Sequence, residues 1–463
     1  MRDAALLNLD MKNTIGLLRE GKSKPGEKRT AITPSDAKLI INWAHKLIVQ
    51  SGVHPATGEE KRAFKDSDYR RAGAKISEDL SSADLIFGLK ELFHTRILSG
   101  KAYYFFSHTH KGQIKNRTML RKLVESQATL IDYELIADEN NNRLITAFTY
   151  NAGYAGMVDS LWTLGKRLKL LGIKNQFEII PQAIEGQDLQ NVKKIIKKVA
   201  SKIEKEGTPK EIPPIIVCFL GRGKTAFGSR EIFNILPHEE ISIDQIESLL
   251  NSGSRKKLYA LQLETELIYR LKRNIKFNPT QYEKLLVREK RHFYLEHPEY
   301  FESNMDKVIP FATVIMNCIV WSDKYPRSIT KKMMRKLWSS NRTLKVIGDI
   351  TCDPNGSIEF SEETWIDDPV FIYNPEKEKS KKGFNGTGIA VMAVTNLPCE
   401  FSADASIQFS ENLKPYLKKI IDANYRGSLS ESGLPDEIKK AVILWKGNFT
   451  PTYSYMKKYL NEI

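Results

Sequence analysis

The chain has 463 residues, of which 27% are charged and 41% are hydrophobic. Because a chain of this length is too long to fold around one ordinary hydrophobic core, we expect two domains. The N-terminus shows no export signal, and no apolar run approaches the roughly 20 residues that span a bilayer. The net charge of +15 comes from scattered basic residues. This positive charge is compatible with the binding of anionic small molecules as well as with the binding of nucleic acid.

The four cysteines stand singly in the sequence, without the spacing of a metal site: Cys218, Cys318, Cys352 and Cys399. Isolated cysteines of this kind are typical of reduced thiols. We therefore expect a cytoplasmic protein without disulfides or a bound metal. Its partners are predicted to be small molecules, with neither nucleic acid nor a membrane among them.

Short apolar segments alternate with helix-like segments from Thr14 to about Phe148. The predicted strands are "TIGLL", "KLIVQ", "DLIFGLK", "AYYFFSH" and "ATLIDYELI". Helices are predicted near Ser35 or Asp36, from Asp68 and from Gln113. Apolar strands separated by helices are typical of a parallel sheet covered on both faces.

A second series follows an amphipathic helix that we predict over about 152–171. Its strands are "PPIIVCFL", "LYALQLE", "VIPFATVIMNCIVW" and "LKVIGDI", and a helix is predicted near 328–338. The aromatic-rich segment after "LYALQLE" is predicted to form helices and loops outside the core. Segment 375–388 is predicted as a flexible loop, and 403–422 and 434–445 as helices.

The stretch "GRGKTAFG", residues 221–228, directly follows the strand "PPIIVCFL". A P-loop needs a glycine five residues before Gly223, where Cys218 stands inside the strand, so this reading is excluded. Gly221 and Gly223 would let the chain approach a pyrophosphate, and Gly228 would open a helix. The spacing is two residues longer than the standard dinucleotide fingerprint, so a tight turn without a ligand stays an alternative. Glu264 ends the next strand, where an acidic residue would meet an adenosine ribose.

Polar residues follow the strands of the first series. Lys90 ends "LIFGLK", His108 ends "AYYFFSH", Lys111 comes soon after, and Glu134 lies in "IDYEL". Because the carboxyl ends of parallel strands converge on a ligand crevice, Lys90 and His108 could exchange protons there. The alternatives are a surface lysine and a buried, hydrogen-bonded histidine. "HTH" lacks a third metal ligand, and no metal site is predicted.

Several longer motifs occur in order along nearly the whole chain. They include "LLREGKSKPGEKRTAITP", "ADLIFGLKE", "FFSHTHKGQ", "AGYAGMVDSLWTLGKRL", "GRGKTAFGSREIFNILP", "VIGDITCDPNGSIEF" and "GIAVMAVTNLPCEF". With these motifs the chain resembles the lysine–2-oxoglutarate reductase family, the lysine-forming saccharopine dehydrogenases. That family is related in fold to alanine dehydrogenase and transhydrogenase.

The resemblance implies an α/β fold of two Rossmann-like, doubly wound parallel-sheet domains with an active-site cleft between them. Residues 1–148 with about 391–463 would form the substrate and catalytic domain. Residues 149–390 would form the dinucleotide-binding domain.

The resemblance also implies a reaction and a set of site residues. Lysine would condense with 2-oxoglutarate, and a nicotinamide coenzyme would reduce the imine to saccharopine. Lys90 and His108 would be the acid–base pair. The implied substrate-binding residues are Lys24, Arg29, Lys111, Glu134, Arg143, Asp349 and Asp353, and the implied coenzyme-binding residues are Gly221, Arg222, Gly223, Gly228, Glu264 and Asn317.

The chain departs from the family pattern at three points. "RLITAF" is one residue longer than the family spacing after Arg143. Many relatives continue into a saccharopine-cleaving module, so a separate cleaving enzyme is an expected partner. A carboxylate at Glu264 would repel a 2′-phosphate, which favours NADH, whereas Arg270 and Lys272 nearby could favour NADPH. The coenzyme therefore stays open between NAD(H) and NADP(H).

Two other functions are compatible with these residues. One is a related amino-acid or opine-type dehydrogenase that uses another amine or keto acid. The other is a basic binding protein on an inactive enzyme scaffold. The joint presence of Lys90, His108, Arg29 and the glycine turn argues against the inactive scaffold.

Overall fold

The computed structural model describes residues 12–21, 26–146, 148–273, 275, 277, 279–339 and 342–461. The chain divides into two compact units at Phe148 and Ser402. The second unit is Thr149–Phe401, and the first holds the residues on either side of it. The second unit extends past the expected end at 390, because strand Ile389–Met392 pairs within its sheet and the chain stays with that unit as far as Phe401.

Eighteen strands occur in the described residues. In chain order they are β1 Thr14–Leu17, β2 Lys46–Val49, β3 Lys75–Ile76, β4 Leu85–Phe87, β5 Ala102–Phe105, β6 Thr129–Asp132, β7 Ile216–Leu220, β8 His238–Ile241, β9 Leu258–Leu263, β10 Tyr269–Leu271, β11 Phe301–Ser303, β12 Val314–Asn317, β13 Val346–Asp349, β14 Val370–Asn374, β15 Lys379–Lys382, β16 Ile389–Met392, β17 Val442–Trp445 and β18 Asn448–Phe449.

The described residues also form fourteen α-helices. In chain order they are α1 Pro34–Asn42, α2 Asp66–Arg71, α3 Arg117–Glu125, α4 Thr149–Leu170, α5 Leu189–Glu206, α6 Lys224–Phe233, α7 Ile246–Ser252, α8 Thr265–Ile268, α9 Pro279–Glu283, α10 Val287–Glu296, α11 Lys331–Trp338, α12 Ser402–Asp422, α13 Asp436–Lys440 and α14 Lys458–Asn461.

The sheet of the first unit has the described order β18-β17-β6-β5-β4-β1-β2-β3. Strands β1 to β6 are parallel, and β17 adds to β6 in the antiparallel direction. The chain winds outward from β1 in one direction through β2 and in the other through β4. The carboxyl ends of β1 and β4 therefore form a topological switch point, where open α/β sheets bind ligands.

The predicted helix over 434–445 is wrong in its second half. Only Asp436–Lys440 is helical, and Val442–Trp445 forms strand β17. A short apolar run such as "VILW" fits a buried strand as well as a helix, and here it completes the edge of the first sheet beside β6.

The sheet of the second unit has the described order β15-β14-β16-β13-β12-β7-β9-β8. Strands β16, β13, β12, β7, β9 and β8 run parallel to one another. Strand β14 pairs in the antiparallel direction with β16 on one side and with β15 on the other. The predicted flexible loop over 375–388 contains strand β15, Lys379–Lys382, which pairs with β14. A lysine-rich sequence suits an edge strand, because charged side chains there oppose pairing with another chain.

The aromatic-rich segment after β9 contributes to the core of the second unit, contrary to the prediction. Tyr269, Tyr294 and Phe301 are buried in the same hydrophobic cluster as β7 and β9. The rings of Tyr269 and Tyr294 stack with centroids 4.9 Å apart. Strands β10 and β11 pair across this segment as a small antiparallel sheet. The polar residues between the aromatics obscured this packing in the sequence.

Helix α4 is buried on most of its faces, so it is not the amphipathic helix that we predicted. It packs closely against α6. A Cβ atom on Gly153 would lie 2.2 Å from the carbonyl oxygen of Thr225, and one on Gly228 would lie 2.4 Å from that of Tyr150. Glycine at both positions therefore lets the two helix backbones touch.

Two buried carboxyl groups, Asp159 and Glu400, make the second unit sensitive to pH. The N–H groups of Ala183 and Ile184 donate to one carboxyl each, at 2.8 and 3.1 Å. Burial raises the pKa of Asp159 to about 7, and burial together with the charge of Asp159 raises the pKa of Glu400. A carboxyl whose pKa is higher in the folded than in the unfolded state contributes its full stability at pH values below the ordinary carboxyl pKa. This contribution is lost as the pH rises through the pKa of the folded state.

We therefore expect the unfolding temperature to fall as the pH rises from the ordinary carboxyl range, about 4, through about 7, and to fall further where Glu400 ionises. Thermal unfolding followed by circular dichroism across this range measures the effect. A Glu400→Gln variant should show a shallower fall, because its amide cannot ionise and can still accept from Ile184. An equally steep fall in both proteins would contradict this assignment.

Candidate functional site

Lys90 and His108 follow the carboxyl ends of two neighbouring strands of the first sheet. Strands β4 and β5 are parallel, with Phe87 opposite Tyr104. Lys90 lies three residues after β4 and His108 three residues after β5, and both are partly buried. Glu91 links the two segments, because its Oε1 lies 2.7 Å from His108 Nδ1. Glu91 is not among the residues predicted from the sequence, although it adjoins Lys90 in the motif "GLKE".

Asp132, at the end of β6, holds the loop that carries His108. One oxygen of its buried carboxylate accepts from the N–H of Ser107 at 3.0 Å, the N–H of His108 at 3.1 Å and the Ser107 hydroxyl at 2.6 Å. His108 has a φ of +51°, in the left-handed region that non-glycine residues seldom adopt. The loop is thus fixed in an unusual conformation, as is common at functional sites.

Glu134 is the centre of a charged cluster at this edge. Its carboxylate lies 2.7 Å from Lys111 Nζ and 3.0 Å from a terminal nitrogen of Arg143. The Nε2 atoms of His108 and His110 lie 3.7 and 3.6 Å away. Burial by itself would raise the pKa of Glu134, but Lys111, Arg143 and His108 bring it below its usual value. Glu134 is therefore an ionised group that neutralises cations.

Arg29 is buried in an ion pair with Glu27. Its Nε and one terminal nitrogen donate to the two Glu27 oxygens at 2.9 and 2.7 Å, and each side chain is 1% exposed. The guanidinium also lies 4.3 Å from the ring centroid of Phe148. These contacts give Arg29 a role in the fold, beside which the implied substrate carboxylate contact stays a prediction. The implied residue Lys24 lies outside the described residues.

The turn at 221–223 joins β7 to the N-terminus of α6 in the second unit. Gly221 has a φ of +90°, and its N–H donates to the carbonyl of Leu263 on β9 at 2.9 Å. A Cβ atom at Gly223 would contact nothing within 4 Å, so that side of the turn is open. Gly223 is the N-cap of α6 and offers no side-chain cap. The first N–H groups of α6 can therefore bind an anion.

Glu264 and Arg222 form an ion pair beside this turn. Strand β9 runs parallel to β7, as the sequence predicts, with Leu263 opposite Leu220. Glu264 follows β9 directly, and its Oε1 lies 2.8 Å from a terminal nitrogen of Arg222. Arg270 instead pairs with Glu302 and Asp306, and Lys272 donates to the carbonyl of Glu299. Arg222 is therefore the cation that the structure brings to Glu264.

Asn317 and Asp349 lie side by side at the carboxyl ends of β12 and β13. The Asn317 amide donates to Asp349 Oδ1 at 2.7 Å and to the Ser357 hydroxyl at 2.8 Å. Among the described residues, none donates to the buried Asn317 Oδ1. Burial raises the pKa of Asp349 to about 6. The family resemblance implies Asn317, Asp349 and Asp353 as site residues. Asp349 lies in this buried network, and Asp353 is exposed.

Within the described residues, no group of three or more His, Cys, Asp or Glu side chains could hold a metal ion. None of the helices in this part of the chain is both long and apolar enough to cross a membrane.

The sequence matches two profiles of one family. The profile "Alanine dehydrogenase/PNT, N-terminal domain" matches residues 16–155, and "Alanine dehydrogenase/PNT, C-terminal domain" matches residues 278–452. Two solved structures share the fold over nearly the whole chain. L-alanine dehydrogenase is 15% identical with a TM-score of 0.58, covering 96% of this chain and 99% of its own. The transhydrogenase from Sinorhizobium meliloti is 13% identical with a TM-score of 0.53, covering 95% and 99%.

Relatives of known name are similar over most of the chain. Alpha-aminoadipic semialdehyde synthase from Arabidopsis thaliana is 33% identical over 461 residues, covering 96% of this chain and 41% of the relative. The mitochondrial enzyme of that name from Rattus norvegicus is 28% identical, covering 95% and 47%. The chain thus spans less than half the length of these two relatives.

A shorter relative is matched over most of its own length. Saccharopine dehydrogenase (NAD(+), L-lysine-forming) from Emericella nidulans is 24% identical over 419 residues, covering 87% of this chain and 91% of the relative. The resemblance predicted from the motifs is thereby confirmed. The chain carries N- and C-terminal domains of the alanine dehydrogenase/PNT type, and it is homologous to the alpha-aminoadipic semialdehyde synthases and the lysine-forming saccharopine dehydrogenases.

Proposed function

We propose that this chain condenses L-lysine with 2-oxoglutarate and reduces the resulting imine to saccharopine, in lysine metabolism. The observation that carries the proposal is the group of Lys90, Glu91 and His108 at adjacent strand ends. This group occurs in a chain homologous to relatives named for saccharopine and aminoadipic semialdehyde. The same groups would also serve the reverse, oxidative reaction.

The proposed reaction needs a base and an acid in one site. The ε-amine of lysine must lose a proton before its nitrogen forms a bond to the keto carbon of 2-oxoglutarate. The hydroxyl of the adduct must then gain a proton and leave as water, which gives the imine. We assign these transfers to Lys90 and His108. Glu91 orients His108 through Nδ1, so that Nε2 is the nitrogen directed to the reacting groups.

The reduction step uses a nicotinamide dinucleotide, which supplies a hydride to the imine carbon when it is bound. The residues of the second unit fit such a group. Gly221 and Gly223 make the open turn, the N-terminus of α6 would bind the pyrophosphate, and Glu264 would accept hydrogen bonds from ribose hydroxyls. Asn317 Oδ1, which accepts no hydrogen bond within the described structure, suits an amide or hydroxyl donor.

The substrate carboxylates require cations, which the first unit provides as ion pairs. Lys111 and Arg143 both face Glu134, and Lys111 is 38% exposed while Arg143 is 60% exposed. An exposed cation that already has an acidic partner can exchange that partner for a substrate carboxylate at a modest cost. We propose Lys111 and Arg143 as the exchangeable cations, with Arg29 and Lys24 as further candidates.

Coenzyme preference depends on Glu264 in this proposal. Serine at this position would remove the carboxylate that repels a 2′-phosphate, and it would release Arg222 to bind that phosphate. The repulsion amounts to about 1–4 kcal/mol at surface-like dielectric. We therefore expect the parent to use NADH at least as well as NADPH, and Glu264→Ser to shift the preference toward NADPH.

Steady-state constants for both coenzymes measure this shift in the parent and in Glu264→Ser. Glu266→Ser is the matched control, because it removes the same charge two residues further along. A strong preference of the parent for NADPH would contradict the expectation. An equal shift in coenzyme preference in both variants would show that the lost negative charge, and not the position of Glu264, causes the effect.

The function itself is tested by coenzyme oxidation at 340 nm with lysine and 2-oxoglutarate, each omitted in turn. Oxidation should require both. Norleucine, which lacks the ε-amine, should not replace lysine. Oxidation with ammonia and a keto acid, but without lysine, would instead indicate a simple amino-acid dehydrogenase.

We further propose that a separate saccharopine-cleaving enzyme consumes the product and that the chain acts in the cytoplasm. The cysteines support a reducing compartment, since all four are free thiols in the described structure. Burial raises the pKa of the Cys318 thiol and of the Cys352 thiol to about 12 each, which keeps them protonated. Cell fractionation tests the compartment, and recovery in mitochondria would contradict it.

A further inference from the structure

Glu20 lies at the switch point of the first sheet, three residues after β1. Glu20 is 5% exposed, and its carboxylate contacts the segment that follows β4. The N–H of Leu89 donates to Oε1 at 2.8 Å, and the N–H of Lys90 donates to Oε2 at 3.1 Å. Each carboxylate oxygen thus accepts from one of two successive backbone groups.

We propose that Glu20 is a positioning residue that fixes the backbone of Lys90 at the carboxyl end of β4. The inference rests on the proposed function in so far as Lys90 is the acid–base residue. Lys90 lies beyond the last residue of β4, and Glu20 supplies an acceptor for its backbone N–H there. Charge-assisted hydrogen bonds of this kind are stronger than neutral ones and hold a definite geometry.

The charged groups near Glu20 set the conditions of the test. Burial raises the pKa of Glu20 to about 7, and nearby Glu27 adds to this. The N–H groups of Leu89 and Lys90 and the charge of Arg96 act in the opposite direction. The Glu20 carboxyl is therefore half ionised near pH 7 and almost fully ionised at about pH 8.5, where the measurements are made.

The test replaces Glu20 by Gln, whose side chain has nearly the same shape but only one acceptor oxygen. Its amide would direct an N–H group at one of the two backbone donors. Glu78→Gln is the matched control. Glu78 pairs with Arg19, the residue before Glu20, and bonds neither Leu89 nor Lys90 in the described structure.

Two readouts separate this inference from the proposed function. The first is amide hydrogen exchange of the peptide that contains Leu89 and Lys90, which does not depend on activity. We expect exchange at these amides to become about tenfold faster or more in Glu20→Gln and to stay unchanged in Glu78→Gln. Unchanged exchange in Glu20→Gln would overturn the inference, even if the parent does not use lysine.

The second readout is turnover with lysine and 2-oxoglutarate. We expect kcat to fall roughly ten- to a hundredfold in Glu20→Gln, with the dissociation constant of the coenzyme unchanged. A normal kcat together with faster exchange would show that the position of Lys90 does not limit catalysis, which would also overturn the inference. Absence of turnover in the parent would contradict the proposed function and leave the exchange result to decide on Glu20.

Discussion

Replacing Lys90 by Met or His108 by Gln is expected to lower turnover by about 10²–10⁴-fold each, the usual contribution of an acid–base group. Methionine keeps the length of the lysine side chain without its amine. Glutamine keeps a hydrogen-bonding group at His108 that can contact Glu91 but cannot transfer a proton. Both residues follow strands of the first unit, whereas the glycine turn belongs to the second unit. Coenzyme affinity should therefore be nearly unchanged in both variants.

The measurement is kcat with saturating lysine and 2-oxoglutarate, together with coenzyme binding followed by fluorescence. His94→Gln is the matched control for His108→Gln, because His94 lies in a surface turn of the same unit. Near-normal turnover in either site variant would remove that residue from the catalytic pair. Loss of turnover with equal loss of coenzyme binding would indicate a general defect in the fold.

Replacing Arg29 by Ala is expected to lower the free energy of unfolding by about 3–5 kcal/mol, the usual cost of breaking a buried ion pair. The variant would leave the Glu27 carboxylate buried without the guanidinium and would remove the contact with Phe148. Urea denaturation followed by circular dichroism measures the loss. A loss below about 1 kcal/mol would contradict the structural role.

A double variant separates this role from the predicted contact with a substrate. Arg29→Met with Glu27→Gln removes both charges and keeps similar side-chain volumes, so it should recover much of the stability. If Arg29 also binds a substrate carboxylate, the KM for 2-oxoglutarate should stay raised roughly ten- to a hundredfold in this stable variant, and the KM for lysine should change little. Normal KM values for both substrates would show that Arg29 stabilises the fold and does not bind a substrate carboxylate.

The sequence predicted the alternating architecture because its signals are local. The runs "LIF", "AYYF" and "TLID" are fully buried strands of the parallel sheet. The carboxyl ends of parallel strands share one edge of the sheet, which is why the positions of Lys90, His108 and Glu134 at that edge could be predicted. The long-spaced glycine turn was also found, because glycine is needed where the backbone has a positive φ, as at Gly221.

The remaining features depend on contacts between distant parts of the chain. Glu20 bonds to Leu89 and Lys90, and Asp132 holds the His108 loop. No local pattern marks either carboxylate. Strand β17 was mistaken for a helix because a short apolar run has no distinguishing period, and its place is set by pairing with β6. Register and side-chain partners of this kind are decided by tertiary packing.

Product analysis with lysine labelled with nitrogen-15 at the ε position tests the central claim most directly. The reaction is run with 2-oxoglutarate and NADH or NADPH, and the product is examined by mass spectrometry and by nitrogen–carbon correlation in NMR. The proposed function predicts one product that joins both carbon skeletons, with the labelled nitrogen bonded to carbon 2 of the glutarate portion. Labelled glutamate with no joined product, or no coenzyme-dependent product at all, would contradict it.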